Sequence, residues 1–329
     1  MGEWTARRIG LIIRPGMDAR MGANVQGPSM IRVPDWVEGA LGRYYLYFAD
    51  HKGSYIRLAY ADAPEGPWRM HEAGSLDLRD SLFPTTPARR PATERGGEAF
   101  DRLPGGAMEA APGLLSAEAE ASHPHIASPD VHVDHANRRI VMYVHGLVAW
   151  KTQRTRAAIS VDGIAFAARP ELFGPSYFRV FRHGGAHYAL AMPGILFRSA
   201  DGLSGFERGP DLFNPMQRHT AVLVRDNVLH VFWTQVGDVP ERILHSRIPL
   251  LGDWRAWRVE GEPNEVLRPE EAWEGAGLPL APSVRGAVNL PVNQLRDPAV
   301  FEEGGRLYLL YAVQGEAGIA IAELRAARG

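Results

Sequence analysis

The chain has 329 residues, 45% of them hydrophobic and 22% charged, with a formal net charge of −2 and no cysteine. So even a charge balance gives no broad field for nucleic acid or an anionic membrane, and the absent thiols exclude disulfides and thiolate metal ligands. Of the 36 basic residues only Lys52 and Lys151 are lysine, a usage that carries no function by itself.

In chain order, the first apolar run is Ile9 to Ile13, broken by Gly10 and flanked by arginines. It is too short for the hydrophobic segment of a signal peptide or for a membrane span. The sequence therefore predicts a cytoplasmic protein. Five strand-like runs follow, opening at Tyr44, Ile140, His187, Val228 and Leu307, each rich in aromatic or β-branched residues and each preceded by a polar or glycine turn. The starts at 140, 187 and 228 lie 47 and 41 residues apart, the span of a four-stranded propeller blade. Two longer intervals hold extra sequence, read as insertions over 73–122 and 261–295.

A second repeat supports the first. Ser160-Val-Asp-Gly163, with Phe166, Pro170, Phe173 and Pro175 after it, recurs as Ser199-Ala-Asp-Gly202 with Phe206, Pro210, Phe213 and Pro215. Duplicated units explain such a match, and 35 glycines with 25 prolines leave no stretch for long helices. The prediction is an all-β chain, one five-bladed β-propeller domain over 1–329 with four antiparallel strands per blade. The runs just named are the second strands, and the innermost strands open near Gly27, Ser128, Tyr177, His219 and Asp297.

Propeller geometry puts the start of each innermost strand and the loop after each second strand at one mouth. Asn24, Gln26, Asp130, Arg218, His219, Arg296 and Asp297 converge there from the first group. Asp50, His51, Lys52, His145, Glu241, Arg242 and Glu316 come from the second, with His125 from the link before the second blade. Both insertions are expected on this rim. Asp162 and Asp201, at the other end, read as turn formers. Carboxylates and hydrogen-bonding groups around a depression suit sugar hydrolysis, which needs one acid and one base or nucleophile.

Arg296-Asp-Pro298, followed by the tyrosine-rich Leu307–Tyr311, resembles the five-bladed glycosidases of glycoside hydrolase families 32, 43, 68 and 117. Stretches such as Gly27–Trp36 and Val284–Ala287 resemble bacterial proteins described only as glycosidase-like. That resemblance implies an aspartate base or nucleophile, a second aspartate that orients the sugar, and a glutamate acid. By position it assigns Asp130, Asp297 and Glu241 as catalytic, with Glu316 and His219 as rivals to Glu241. Convergence at the mouth, for its part, makes Asn24, Gln26, Asp50, His51, Lys52, His125, His145, Arg218, His219, Arg296 and Glu316 the candidate substrate contacts. One departure is plain: blade one opens on Asn24-Val-Gln-Gly27, where the family pattern has aspartate.

The expected activity is hydrolysis of a short oligosaccharide or glycoside, with no cofactor required. Two alternatives stand beside it. One is a sugar-binding propeller without catalysis. The other is a metal-assisted lyase or isomerase on an acidic sugar, with arginines Arg218, Arg242 and Arg296 clamping a carboxylate. His51, His125, His145 and His219 are the candidate ligands for a divalent ion at the axis.

Overall fold

A computed structural model of the chain describes residues 4–92 and 116–326. The described residues form twenty strands in five four-stranded antiparallel sheets, the blades of a β-propeller. Blade one holds β2 (Gln26–Arg32), β3 (Tyr44–Ala49), β4 (Tyr55–Ala61) and β5 (Arg69–Asp77). Blade two holds β6 (Ile126–Asp134), β7 (Arg139–Ala149), β8 (Thr152–Ser160) and β9 (Ala167–Ala168). Blade three holds β10 (Arg179–His183), β11 (Ala186–Ala191), β12 (Ile195–Ser199) and β13 (Glu207–Asp211). Blade four holds β14 (Gln217–Arg225), β15 (Val228–Gln235), β16 (Ile243–Pro249) and β17 (Glu260–Leu267).

Blade five is completed by the N-terminus. β18 (Arg296–Glu303), β19 (Arg306–Ala312) and β20 (Ile319–Ala326) pair in order, and β1 (Trp4–Ile13) adds outside β20. The short apolar run near the N-terminus is thus a closing strand. Its first residue, Trp4, donates from Nε1 to His230 Nδ1 of blade four at 3.1 Å. The described residues include one short α-helix, α1 (Ala117–Ser122), and no helix long and apolar enough to cross a membrane.

The core lies between the blades. Each buried cluster draws on two neighbours: Tyr45, Tyr47 and Leu58 of blade one meet Val131, Met142 and Phe166 of blade two. The repeated turn sequence fastens these wedges. Tyr47 Oη donates to the Gly163 carbonyl and Tyr143 Oη to the Gly202 carbonyl, both at 2.7 Å, so the same bond recurs one blade further on. In each turn the aspartate accepts two backbone amides, Asp162 from Ile164 and Ala165, Asp201 from Leu203 and Ser204.

A second repeated device shapes the centre. The innermost strand of blades one, two, four and five carries one extra residue between Gln26 and Ser29, Ala127 and Asp130, Gln217 and Thr220, and Arg296 and Ala299. Such a bulge re-aims a side chain and breaks the ladder locally. Gly27, Ser128 and Asp297 occupy the first bulge position with φ of 65°, 49° and 47°. Pro28, Pro129 and Pro298 come next and leave no unpaired N–H there. Gly27 is required on a second count, since a Cβ would fall 2.9 Å from Ser128 Cα.

The links read as insertions begin later than expected. Residues 73–77 belong to β5 and 261–267 to β17, because both segments complete the outer edge of a blade. Residues 93–115 of the first link lie outside the described residues.

Candidate functional site

The bulges, the loops after the second strands and the link after β17 bring charged side chains together at the axis. Glu316 is their hub. Its Oε1 meets His51 Nδ1 at 3.0 Å and Arg296 Nη1 at 2.9 Å, while Oε2 accepts from Asn24 Nδ2 at 2.7 Å and the Val288 amide at 3.2 Å. Burial alone would raise its pKa; the His51 ring, Arg296 and Asn24 outweigh that and hold the carboxyl far below the usual range. Arg296, fully buried, also reaches Glu241 Oε2 at 3.4 Å, and Arg218 Nη1 meets the same oxygen at 3.3 Å.

Asp297 has the opposite surroundings. It is fully buried, and neither carboxyl oxygen has a hydrogen-bond donor among the described residues. The His219 ring stands beside it, with Nε2 3.5 Å from Oδ1. Burial, then the Glu316 charge, pushes its pKa up to about 7. The His219 ring accepts at Nδ1 from the Asp297 amide at 3.3 Å. Burial and the charges of Arg218 and Arg296 hold this imidazole well below its ordinary pKa, so it is neutral at pH 7.

Above this network lies a cavity of about 370 Å³ whose floor includes His51, Tyr177, Arg218 and His219. Asp297 and Glu316 sit one side chain beneath, each behind an imidazole that reaches the cavity. Tyr177 stands between the rings of His145 and His219, with centroids 4.8 and 4.9 Å away. One wall is Glu120 of α1, which pairs with Lys52 Nζ at 3.0 Å and accepts the Ala287 amide at 3.0 Å. The described parts of the two long links therefore touch over the cavity.

Asn24, His51, Arg218, His219, Glu241, Arg296, Asp297 and Glu316 are thus neighbours. Gln26 is adjacent, accepting from Ser128 Oγ at 3.2 Å. Lys52 joins through Glu120. Three of the anticipated residues stand elsewhere. Asp130 accepts from the Val180 amide and His132 Nε2 at 2.8 and 2.7 Å, and it lines a separate cavity with Arg32 and His132. The bulge explains this: Asp130 follows it, in the register of Ala299 rather than of Asp297, whose counterpart in blade two is Ser128. Between the two cavities Arg179 spans the channel, donating to the carbonyls of Thr220, Ser128 and Pro129. Asp50 shapes its own loop by accepting the Lys52 amide at 2.8 Å. Arg242 faces Glu265 at 3.1 Å and Asp238 at 3.8 Å.

The histidines do not assemble as metal ligands. Among the described residues no group of three His, Asp or Glu side chains is arranged to hold an ion. His51 is committed to Glu316, and His125 Nδ1 to the His123 carbonyl at 2.7 Å. His125 and His145 face each other edge to face at 6.1 Å, and burial keeps both well below their ordinary pKa. The described residues at the axis do not fit a divalent ion.

Sequence reasoning missed Glu120 and Arg285 as parts of the site. Arg285 falls in Val284–Ala287, a stretch noted for its likeness to other proteins, but nothing periodic marks it as cavity-lining.

Solved structures similar to this one are glycosidase propellers. The GH43_1 enzyme of Xanthomonas citri superposes with a TM-score of 0.55 at 12% identity, over 97% of this chain and 91% of that one. An exo-β-1,3-galactanase of Phanerochaete chrysosporium gives 0.55 at 9%, over 97% and 64%. A GH43 β-xylosidase/α-arabinofuranosidase from a compost metagenome gives 0.53 at 11%, over 96% and 95%. At such identities the likeness concerns the fold. No family model matches the sequence. Where the motifs point to bacterial kin, the sequence relative found is viral: "Uncharacterized protein R118" of Acanthamoeba polyphaga mimivirus, 34% identical over 326 residues that cover 92% of this chain and 83% of that protein. A match of that extent and identity makes this chain a member of the same family as the mimivirus protein, built on the five-bladed propeller.

Proposed function

We propose that the protein is a glycosidase acting on a short oligosaccharide or glycoside held in the axial cavity. The observation that carries this reading is the pair of imidazole–carboxylate couples, rings on the cavity floor and carboxyls beneath them, set in opposite states. In one, His51 is bonded through Nδ1 to Glu316, whose carboxyl is held ionised. This couple has the form of a general base, with the carboxylate fixing the orientation of the ring. In the other, Asp297, with a pKa of about 7, keeps a proton near neutrality beside His219. Hydrolysis of a glycosidic bond needs this division: one group gives a proton to the leaving oxygen while another activates water. Two carboxylates driven apart in pKa by their environments are how a single fold supplies both.

The propeller neighbours named above support the reading by analogy of fold. The absence of aspartate at the blade-one opening is accommodated, since the first bulge position there is Gly27 and the base function passes to His51 in the next loop of the same blade. The test is a screen of aryl glycosides with the purified chain, followed by His51→Gln and Asp297→Asn on any substrate found. Turnover that both variants lack supports the assignment. Turnover at the wild-type rate in both would remove these couples from the chemistry.

A further inference from the structure

Among the described residues the cavity contains more positive charge than its own carboxylates answer. Glu120 is matched by Lys52, Glu241 by Arg218, and Glu316 by Arg296. Two cavity-lining guanidiniums are left over. Arg285, 7% exposed, has no carboxylate within ion-pair distance among the described residues. Its Nη2 donates to the Pro215 carbonyl at 2.9 Å, its Nη1 faces only the Met192 sulfur at 3.8 Å, and its Nε has no acceptor. Arg154, on the same cavity, donates to the carbonyl of its neighbour Gln153 and also meets no carboxylate among the described residues.

A buried guanidinium without a counter-charge is costly to maintain. Next to Arg218 the cost rises, and burial together with that repulsion lowers the Arg285 pKa from 12.5 to about 10. Arg285 still carries its charge at pH 7. Its planar fork is shaped for a carboxylate or phosphate, and the Nη1 donor facing the thioether and the unpartnered Nε are the ones such a group would satisfy.

We infer that the sugar taken by this cavity carries an oxyanion, a carboxylate or a phosphate ester, that binds Arg285 with help from Arg154. The inference rests on the carbohydrate reading above and narrows it to acidic sugars. It differs from the clamp expected from sequence, because Arg296 and Arg218 are already matched by Glu316 and Glu241, and Arg242 is engaged away from the cavity.

The experiment is calorimetric titration of the full chain at low ionic strength with D-glucuronate, D-glucose 6-phosphate and D-glucose. At least one charged sugar should bind about 10-fold or more tightly than glucose, as expected for a partly desolvated charge pair. Arg285→Met should remove that margin and Arg154→Gln should narrow it. Preference for glucuronate assigns a carboxylate, and preference for the phosphate ester assigns a phosphate. If neither charged sugar outbinds glucose, including the case of no heat from any of the three, the inference falls. It falls equally if the margin survives in both variants. Should Arg285→Met not fold, the wild-type margin and Arg154→Gln decide alone. The two readings fail separately. Hydrolysis of neutral glycosides with no charged preference removes this inference and leaves the hydrolase. A charged preference without hydrolysis of any glycoside does the reverse.

Discussion

The two ends of the propeller use aspartate in opposite ways. At the turn end, Asp162 and Asp201 each accept two backbone amides and a serine hydroxyl, and these donors lower both carboxyls, Asp201 to about 2. At the axis, Asp297 is buried with no donor among the described residues and rises to about 7. The residue type is the same; the supply of N–H groups and water sets the proton affinity. The turn aspartates hold shape, whereas the axial one, in the function proposed above, gives its proton near neutral pH.

The largest expected effect is on turnover. Asp297→Asn keeps the side-chain volume but removes the proton, so kcat on a responsive glycoside should fall by about 10²–10⁴-fold, the usual share of general acid–base catalysis. Asp201→Asn should leave kcat unchanged. Steady-state kinetics on both variants tests the comparison at once. Activity that depends on a protonated Asp297 should also decline as pH rises through about 7.

Next comes stability of the axial network. Glu316→Gln leaves Arg296 and His51 facing a neutral group in a fully buried site, so chemical denaturation should show a loss of about 3–5 kcal/mol. The stability that Glu316 contributes is present above its unfolded pKa near 4.5 and is lost as pH falls through its lower folded value. The variant and the wild type should therefore converge in acid.

Smaller still are the turn-end ties. Tyr47→Phe removes the bond to the Gly163 carbonyl and should cost about 1 kcal/mol, as Tyr143→Phe should for Gly202. Equal losses from the two variants would show that the duplicated turns are energetically as well as geometrically equivalent. Unequal losses would mean that the neighbouring wedges differ in how far they relax.

Much of this architecture is legible in the sequence because blades repeat. The aromatic second strands at Tyr44, Ile140, His187, Val228 and Leu307 and the paired Ser-x-Asp-Gly turns fall where the structure places them. β1 escaped notice because an outermost strand is partly exposed and lacks a continuous apolar run. The site was harder to read. Grouping residues as strand starts does not resolve their register: it sets Asp130 beside Asp297, whereas its register is that of Ala299 and Ser128 holds the position equivalent to Asp297. Arg285 and Glu120 lie in irregular links, where no period says which way a side chain faces. Their roles follow only from the contact between the links over the cavity.

Linkage makes the proton that Asp297 holds up to about pH 7 measurable without a substrate. A carboxyl whose folded pKa lies above its unfolded value of 3.8 binds the proton more tightly in the native state, so its contribution to stability falls as pH rises between the two values. The unfolding free energy of the wild type and of Asp297→Asn should be measured from pH 4.5 to 9. Relative to the variant, the wild type should lose about 1.4 kcal/mol per pH unit up to about pH 7 and then level off. A difference between the two proteins that is independent of pH, or one in which the wild type gains as pH rises, would contradict the account.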